Sequence, residues 1–414
     1  MVDTTQSEGR VGVYHPGTQH SWQTALAFQE CKTLSWYATS ILYDPTRFPY
    51  SAIRFLPARL RERAKQEFSR REFSQLDSSL VRQLGWLEWA AVPLRRARMT
   101  KAARAVSYAS ARAGAKKVNR LIRGSGIETL WTFDTIGLEA LKVANRAGVR
   151  TVLDQTIGHM AALDKTMREE ARKNPRYFSS GTFQIPPSAI ERQIEELAIA
   201  DAVVVGSDFA ASTLLQNDVP SNKITVLRYG FDETLFKNPS VRRTPKDRPI
   251  RFLMVGSINP RKGPQYLFDA FRRVSPSAAE IHLVGPMEID PELIPKDLPH
   301  LYIHPSVARK DIPDVMKRAD CLILPSLFEG CSLSLHEGLA SGLPIIHSKS
   351  AGDGIIDGNG LILDQVSMEC VLEAVNQVIE EPTLIEEWSN KSSELASSHG
   401  ARTYRQRVAR FYLQ

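Results

Sequence analysis

The sequence predicts an α/β protein of two tandem domains, each a parallel sheet covered by helices on both faces. Three observations carry that expectation. At 414 residues the chain is too long for one ordinary core. Short apolar strands alternate with helical segments in both halves, the pattern of a sheet buried on both sides. Between the halves lies a polar, proline-containing seam, KNPSVRRTPKDRP (237–249), of the composition expected for a linker.

In the first domain, residues 1–236, the opening strand is VGVYH (11–15), followed by the turn PGTQHS and a helix expected over 22–40. A strand running into a Gly-containing turn and a helix opens an α/β unit. Further strands are expected at TLWTF (129–133), RTVLD (150–154) and DAVVVGS (201–207), the last preceded by the helical segment ERQIEELAIA. The second domain, 250–400, begins with the strand IRFLMVGS and a helix over 263–274. Strands EIHLVG, CLILPS, PIIHS and GLILD follow, alternating with helices. A terminal amphipathic helix, 401–414, is expected to pack back on the first domain.

A hydrophobic fraction of 43% and a charged fraction of 24% belong to globular chains. There is no repeat of solenoid length, no apolar signal core in MVDTTQSEGR and no apolar run long enough to span a bilayer. The cysteines, Cys31, Cys321, Cys331 and Cys370, lack metal-ligand spacing, which favours free thiols in a reducing compartment. The expected location is the cytoplasm. Charge is unevenly placed: between Ser51 and Arg123 eighteen Lys and Arg face five Asp and Glu, in a chain of net charge only +7. That stretch should favour anionic surfaces or substrates.

The chemistry concentrates in CLILPSLFEGCSLSLHEGLASGLPIIHS (321–348). CLILPS reads as a buried strand, LFEGC as the turn at its carboxyl end, and SLSLHEGLAS as a helix closed by Gly342 and Pro344. Glu329 then sits in the loop and Glu337 in the helix, near the sheet edge where ligands of open α/β folds bind. The helix start at Ser332–Ser334 suits a diphosphate, and carboxylates beside it can accept hydrogen bonds from sugar and ribose hydroxyls. Two glutamates eight apart are common by chance; the strand–loop–helix frame around them is not. Upstream, VGSINPRKGPQYLFDAF opens a helix with Arg261 and Lys262, two cations placed where a diphosphate would sit.

These segments resemble the Glu-x7-Glu motif and phosphate-binding turn of the family 4 retaining glycosyltransferases, which have the GT-B fold of two Rossmann-like domains facing an inter-domain cleft. The resemblance implies that Glu337 binds the ribose of a nucleotide-sugar donor. It also implies that Glu329 contacts the donor sugar, while backbone groups of Gly330, Ser332 and Leu333 approach the sugar and diphosphate. Arg261 and Lys262 carry the phosphate charge; many members place Arg directly after the strand's glycine, where this chain has Ser257. The likeness is good from 191 to 363, weak over 11–21 and faint between.

Gly17 and Thr18 occupy the place of the family's first glycine loop near the donor phosphates. His159, in LDQTIGHM beside Asp154 and Gln155, stands where members carry an activity histidine; a lone histidine suits a structural role equally well. His20 is a weaker candidate of the same kind. With no Asp-x-Asp pair in the chain, no metal site is expected, nor any cofactor besides the nucleotide-sugar co-substrate. The expected function is therefore metal-independent, retaining transfer of a sugar to a glycan or lipid-linked acceptor, in cell-envelope or polysaccharide synthesis. The tryptophans and basic cluster of LGWLEWAAVPLRRARMTKAARA (84–105) suit either a peripheral contact with the membrane's inner, anionic face or an ordinary core helix. Rival readings are another GT-B enzyme, such as an epimerase or a phosphorylase, and a nucleic-acid binder prompted by the pI of 9.2. The chain is short for a phosphorylase, and no nucleic-acid module is visible.

Overall fold

The computed structural model describes residues 10–17, 20–40, 43–44, 50–69, 75–85, 87–96, 99–178, 185–237, 241–352 and 357–414. The first half runs β1 (Val11–Tyr14), α1 (Ser21–Glu30), β2 (Leu34–Thr39), α2 (Ala58–Ser69), β3 (Val81–Gln83), α3 (Leu87–Arg96), α4 (Thr100–Ser125) and β4 (Thr129–Phe133). It continues through α5 (Leu138–Arg146), β5 (Arg150–Gln155), α6 (Met160–Lys173), α7 (Pro187–Ile199), β6 (Ala202–Val205), α8 (Asp208–Leu215) and β7 (Ile224–Val226). The second half holds β8 (Ile250–Val255), α9 (Pro264–Phe271), β9 (Ala279–Val284), β10 (Leu301–His304), α10 (Ile312–Lys317), β11 (Cys321–Leu324) and α11 (Leu333–Ala340). After these come β12 (Ile345–Ser348), β13 (Gly360–Leu363), α12 (Met368–Glu380), α13 (Leu384–Ala396) and α14 (Ala401–Leu413).

The strands form a seven-stranded sheet in the order β3-β2-β1-β4-β5-β6-β7 and a six-stranded sheet in the order β10-β9-β8-β11-β12-β13. Pairing is parallel from β3 to β5 in the first and throughout the second. Both sheets therefore have the α/β character read from the alternating pattern, and each reverses its order beside its first strand. Such a reversal opens a crevice at the carboxyl ends of the strands.

Packing divides the chain into two compact units. One comprises the stretch up to Asp154, Glu191–Val204 and Arg405–Gln414; the other comprises Gln155–Ile190 and Val205–Tyr404. The first unit is cored by Tyr14, Trp36, Leu130 and Val118 from strands and α4. The end of α14 packs into it, Phe411 edge-on to Trp131 and Tyr412 to Phe28, with Arg405 paired to Glu30. The core of the second unit is a continuous apolar body that includes Phe252, Phe268, Phe271 and the inner faces of β8, β9, β11 and β12.

The helix expected over 22–40 is corrected by the fold: α1 stops at Glu30, Lys32 takes a left-handed φ of 57°, and β2 follows. Leu34–Thr39 is rich in aromatic and β-branched residues and buried along nearly its whole length, so it pairs beside β1 instead of prolonging the helix. The edge strands β3 and β10 also lie where no strand was expected. Both are short, and Tyr302 on β10 is exposed, so neither has the apolar run that marks an inner strand.

Candidate functional site

At the carboxyl end of β8 the chain turns through Gly256 and Ser257 into a single 3-10 turn, Pro260–Lys262, capped by the Asn259 side chain. Gly263 ends that turn with φ 75° and begins α9. A Cβ here would lie 2.1 Å from the carbonyl oxygen of Pro325, so only glycine allows this turn to meet the loop after β11. The two segments are further joined by Leu327 N–H donating to the Arg261 carbonyl at 2.7 Å and Arg261 Nη1 donating to the Phe328 carbonyl at 2.6 Å.

This contact brings three charges together. Glu329 Oε1 lies 2.7 Å from Arg261 Nη1 and 2.6 Å from Lys262 Nζ, with all three side chains largely buried. Oε1 is held by charge rather than by well-angled hydrogen bonds. Burial alone would raise the Glu329 pKa; Lys262 and Arg261 outweigh it and hold the carboxyl below its usual range. Lys262 Nζ also reaches Ser332 Oγ at 3.4 Å, which ties the cations to the start of α11.

Ser332 is the residue before α11, and its N–H donates to the Ala351 carbonyl at 2.9 Å. The next residue, Leu333, is 38% exposed. Among the described residues the N–H groups of Leu333 and Ser334 have no partner, so the first turn of α11 presents donors beside Lys262. Ser334 itself is fixed through its hydroxyl, which donates to the Val255 carbonyl at the end of β8. One turn on, Glu337 is half-buried and carries no ion pair among the described residues. Desolvation pushes its pKa up to about 7, against the lowering influence of Arg309 and with a smaller rise from Asp232.

Gly330 and His159 belong to the same unit as these residues. A Cβ on Gly330 would lie 1.9 Å from the Thr156 carbonyl oxygen, so the loop and the segment leading into α6 meet backbone to backbone. Phe328 fills the space beside Gly158 and packs edge-on to Phe209. Ser207, which caps α8, donates its hydroxyl to the Gly330 carbonyl. His159 is almost fully buried as the cap of α6: its Nδ1 accepts from Ala161 N–H at 3.2 Å, and its own N–H donates to Thr213 Oγ1 at 2.9 Å. An accepting Nδ1 leaves the ring hydrogen on Nε2, and burial lowers its pKa, so the ring is a neutral donor.

Apart from Gln155, which begins the second unit, the other candidates described fall in the first. His20 Nε2 lies 3.0 Å from Asp154 Oδ2, which also accepts from Trp131 Nε1 at 3.3 Å. His20 and His15 both meet the Phe133 ring edge-on. Gly17 lies beside this cluster, its Cα direction facing the His15 ring. Gln155 is held by its amide donating to the Ile157 carbonyl. Thr18 lies outside the described residues. The sequence reading passed over Ser207 and Trp131. Ser207 had a legible signal, a serine between an apolar strand and a helix; the indole–carboxylate contact of Trp131 had none.

Residues 249–381 match the family model described as glycosyl transferases group 1. Over 182 residues it is 28% identical to the UDP-Gal:alpha-D-GlcNAc-diphosphoundecaprenol alpha-1,3-galactosyltransferase of Escherichia coli, covering 39% of this chain and 46% of that one. The match thus spans about half of the relative's length. Among solved structures, the sucrose-phosphate synthase of Thermosynechococcus elongatus superposes with TM-score 0.65 at 15% identity, covering 98% of both chains. HepE of Anabaena, in complex with UDP, superposes with TM-score 0.60 at 13% identity, covering 97% of this chain and 98% of that one. The fold of the whole chain is the GT-B fold of such glycosyltransferases.

Proposed function

We propose that this protein is a retaining, metal-independent glycosyltransferase that moves a hexosyl group from a nucleotide sugar to a glycan or lipid-linked acceptor. The observation that carries the proposal is the buried trio Arg261, Lys262 and Glu329 beside the open first turn of α11. Two cations that share one carboxylate among the described residues form a site that a diphosphate can take over. On donor binding the phosphate oxygens become the partners of Arg261 and Lys262, joined by the N–H groups of Leu333 and Ser334. Glu329 is thereby released to accept hydrogen bonds from the donor sugar. Glu337, on the same helix and in no ion pair among the described residues, accepts from the ribose hydroxyls, and the neutral His159 offers Nε2–H to the sugar.

Cleavage of the bond between the anomeric carbon and the diphosphate leaves negative charge on the departing phosphate. Arg261, Lys262 and the α11 dipole stabilise that charge, supplying the role a metal would otherwise fill. Glu329, once released, is taken up by hydrogen bonds from the donor sugar's hydroxyls and serves binding rather than nucleophilic attack. The acceptor hydroxyl therefore enters on the face the diphosphate leaves, and its proton passes to the departing phosphate oxygen. The substrates in the name of the Escherichia coli relative and the UDP in HepE favour a UDP-sugar donor and a diphospholipid acceptor in envelope synthesis.

The test supplies UDP-, GDP- and ADP-sugars with and without a diphospholipid-linked sugar. Nucleoside diphosphate released only as acceptor is consumed, with the donor's anomeric configuration kept in the product and no loss of rate in EDTA, is the expected result. An isomerised sugar formed without acceptor would establish an epimerase instead.

A further inference from the structure

The connection that leaves the carboxyl end of β2 carries a surface outside the proposed donor site. Its 3-10 segment Tyr50–Phe55 is anchored by the buried Tyr50 and Ile53. Beyond that anchor the seven residues Arg54–Leu60, RFLPARL, are all exposed. Phe55 is 77% exposed, more than any other large apolar residue described, and Leu60 is 51% and Leu56 37% exposed. Three of the eleven exposed large apolar residues described thus fall within six positions.

The segment is not slack. Leu56 N–H donates to the Ile53 carbonyl, Arg61 N–H to the Pro57 carbonyl, and the Arg61 guanidinium returns to the Leu56 carbonyl at 3.1 and 3.3 Å. The Arg54 guanidinium stands 4.8 Å from the centre of the Phe55 ring, a cation–π contact. The chain spends backbone and side-chain bonds to hold a phenylalanine and two leucines outward, with Arg54, Arg59 and Arg61 around them. With Phe55 77% and Leu60 51% exposed, these side chains add little to the unit's own core.

We propose that Arg54–Leu60 is a membrane-docking wedge, with Phe55, Leu56 and Leu60 entering the interfacial region of an anionic bilayer while the arginines meet lipid phosphates. Charge complementarity favours a bilayer over an apolar partner: the wedge opens the stretch from Ser51 to Arg123, where eighteen basic residues face five acidic ones. Aromatic and aliphatic side chains framed by arginine are the composition of surfaces that lie in an interface. The sequence alone drew attention to 84–105. Of its tryptophans, Trp86 lies outside the described residues and so does the side chain of Trp89, whereas the wedge is described throughout. Among the described residues no helix is long and apolar enough to cross a membrane, so the contact is with one face. The inference stands apart from the donor site and is read without any donor.

The test is co-sedimentation of the full chain with phosphatidylcholine vesicles and with vesicles containing roughly one third phosphatidylglycerol, at about 0.1 M salt. The protein is expected to sediment with the anionic vesicles and to stay in solution with the neutral ones. Phe55→Ser and Leu60→Ser together should weaken binding by at least about tenfold, and Arg59→Glu should weaken it further and leave the residual binding less salt-sensitive. Thermal unfolding of these variants should match the wild type, since the altered side chains are exposed. Failure to sediment with anionic vesicles, or undiminished sedimentation of the Phe55→Ser/Leu60→Ser variant, overturns the proposal. So does a dimer in sedimentation velocity that this variant dissociates, which would make the wedge a contact between copies.

Discussion

Glu329 and Glu337 stand eight residues apart on one strand–loop–helix unit, yet their surroundings drive them in opposite directions. Glu329 is held ionised between Arg261 and Lys262, while Glu337, in no ion pair among the described residues, is pushed toward its neutral form with a pKa of about 7. Burial acts on both and would raise both. The difference lies in the turn after β8, which Gly263 lets approach the loop and which stops short of the helix. The loop carboxylate is an internal counter-ion awaiting replacement; the helix carboxylate is an acceptor awaiting hydroxyl groups.

Removing a cation should break this contrast most severely. Lys262→Ala leaves Glu329 with Arg261 as its partner, and unfolding by denaturant should show a loss of about 2 kcal/mol. The same variant should turn over donor about a hundredfold more slowly. Removing the carboxylate should sharpen the contrast. Glu329→Gln leaves two buried cations uncompensated and costs about 3 kcal/mol without ligand. A nucleoside diphosphate, by occupying those cations, should then raise the melting temperature of Glu329→Gln more than that of the wild type. An equal rise in both proteins would show that Glu329 does not compete with phosphate.

Glu337 gives a smaller, pH-dependent effect. Its folded pKa lies above the ordinary value of 4.5, so the neutral form is the one the fold favours. Its contribution to stability is fully present below pH ~4.5 and is lost as pH rises through ~7, about 2 kcal/mol in all after allowing for partial solvent contact. Glu337→Gln should flatten that part of the stability profile. If the ionised carboxylate accepts from ribose hydroxyls, donor binding should also release a proton near pH 7, seen as a binding enthalpy that varies with the buffer's ionisation enthalpy. The smallest expected effect concerns His159. Asparagine caps helices well, so His159→Asn should change stability by less than ~0.5 kcal/mol, whereas His159→Ala should cost about 1 kcal/mol. A His159→Asn enzyme that keeps full turnover would reduce the residue to a cap.

Much of this contrast was legible before any coordinates. The strand CLILPS, the loop glutamate and the helix after it follow from apolar runs and stop signals, and they place both carboxylates correctly along the chain. Spacing could not reveal their charge states, because those depend on Pro260–Lys262 meeting Leu327–Glu329, segments more than sixty residues apart in sequence. For the same reason the pairing of His20 with Asp154 was invisible: the two residues lie 134 apart in sequence. The helix expected over 22–40 failed at Lys32, where a left-handed residue and an aromatic-rich strand overrode the apolar pattern. The exposed wedge at Arg54–Leu60 could not be told from a core segment by composition. Its apolar residues match those of buried ones, and only the anchoring of Tyr50 and Ile53 turns them outward.

The central claim is that Arg261 and Lys262 are a diphosphate site guarded by Glu329. Calorimetric titration of UDP into the wild type, Lys262→Ala and Glu329→Gln at one pH tests it most directly. The account predicts binding at least about tenfold weaker in Lys262→Ala and tighter than wild type in Glu329→Gln. Equal affinity in all three proteins would contradict it.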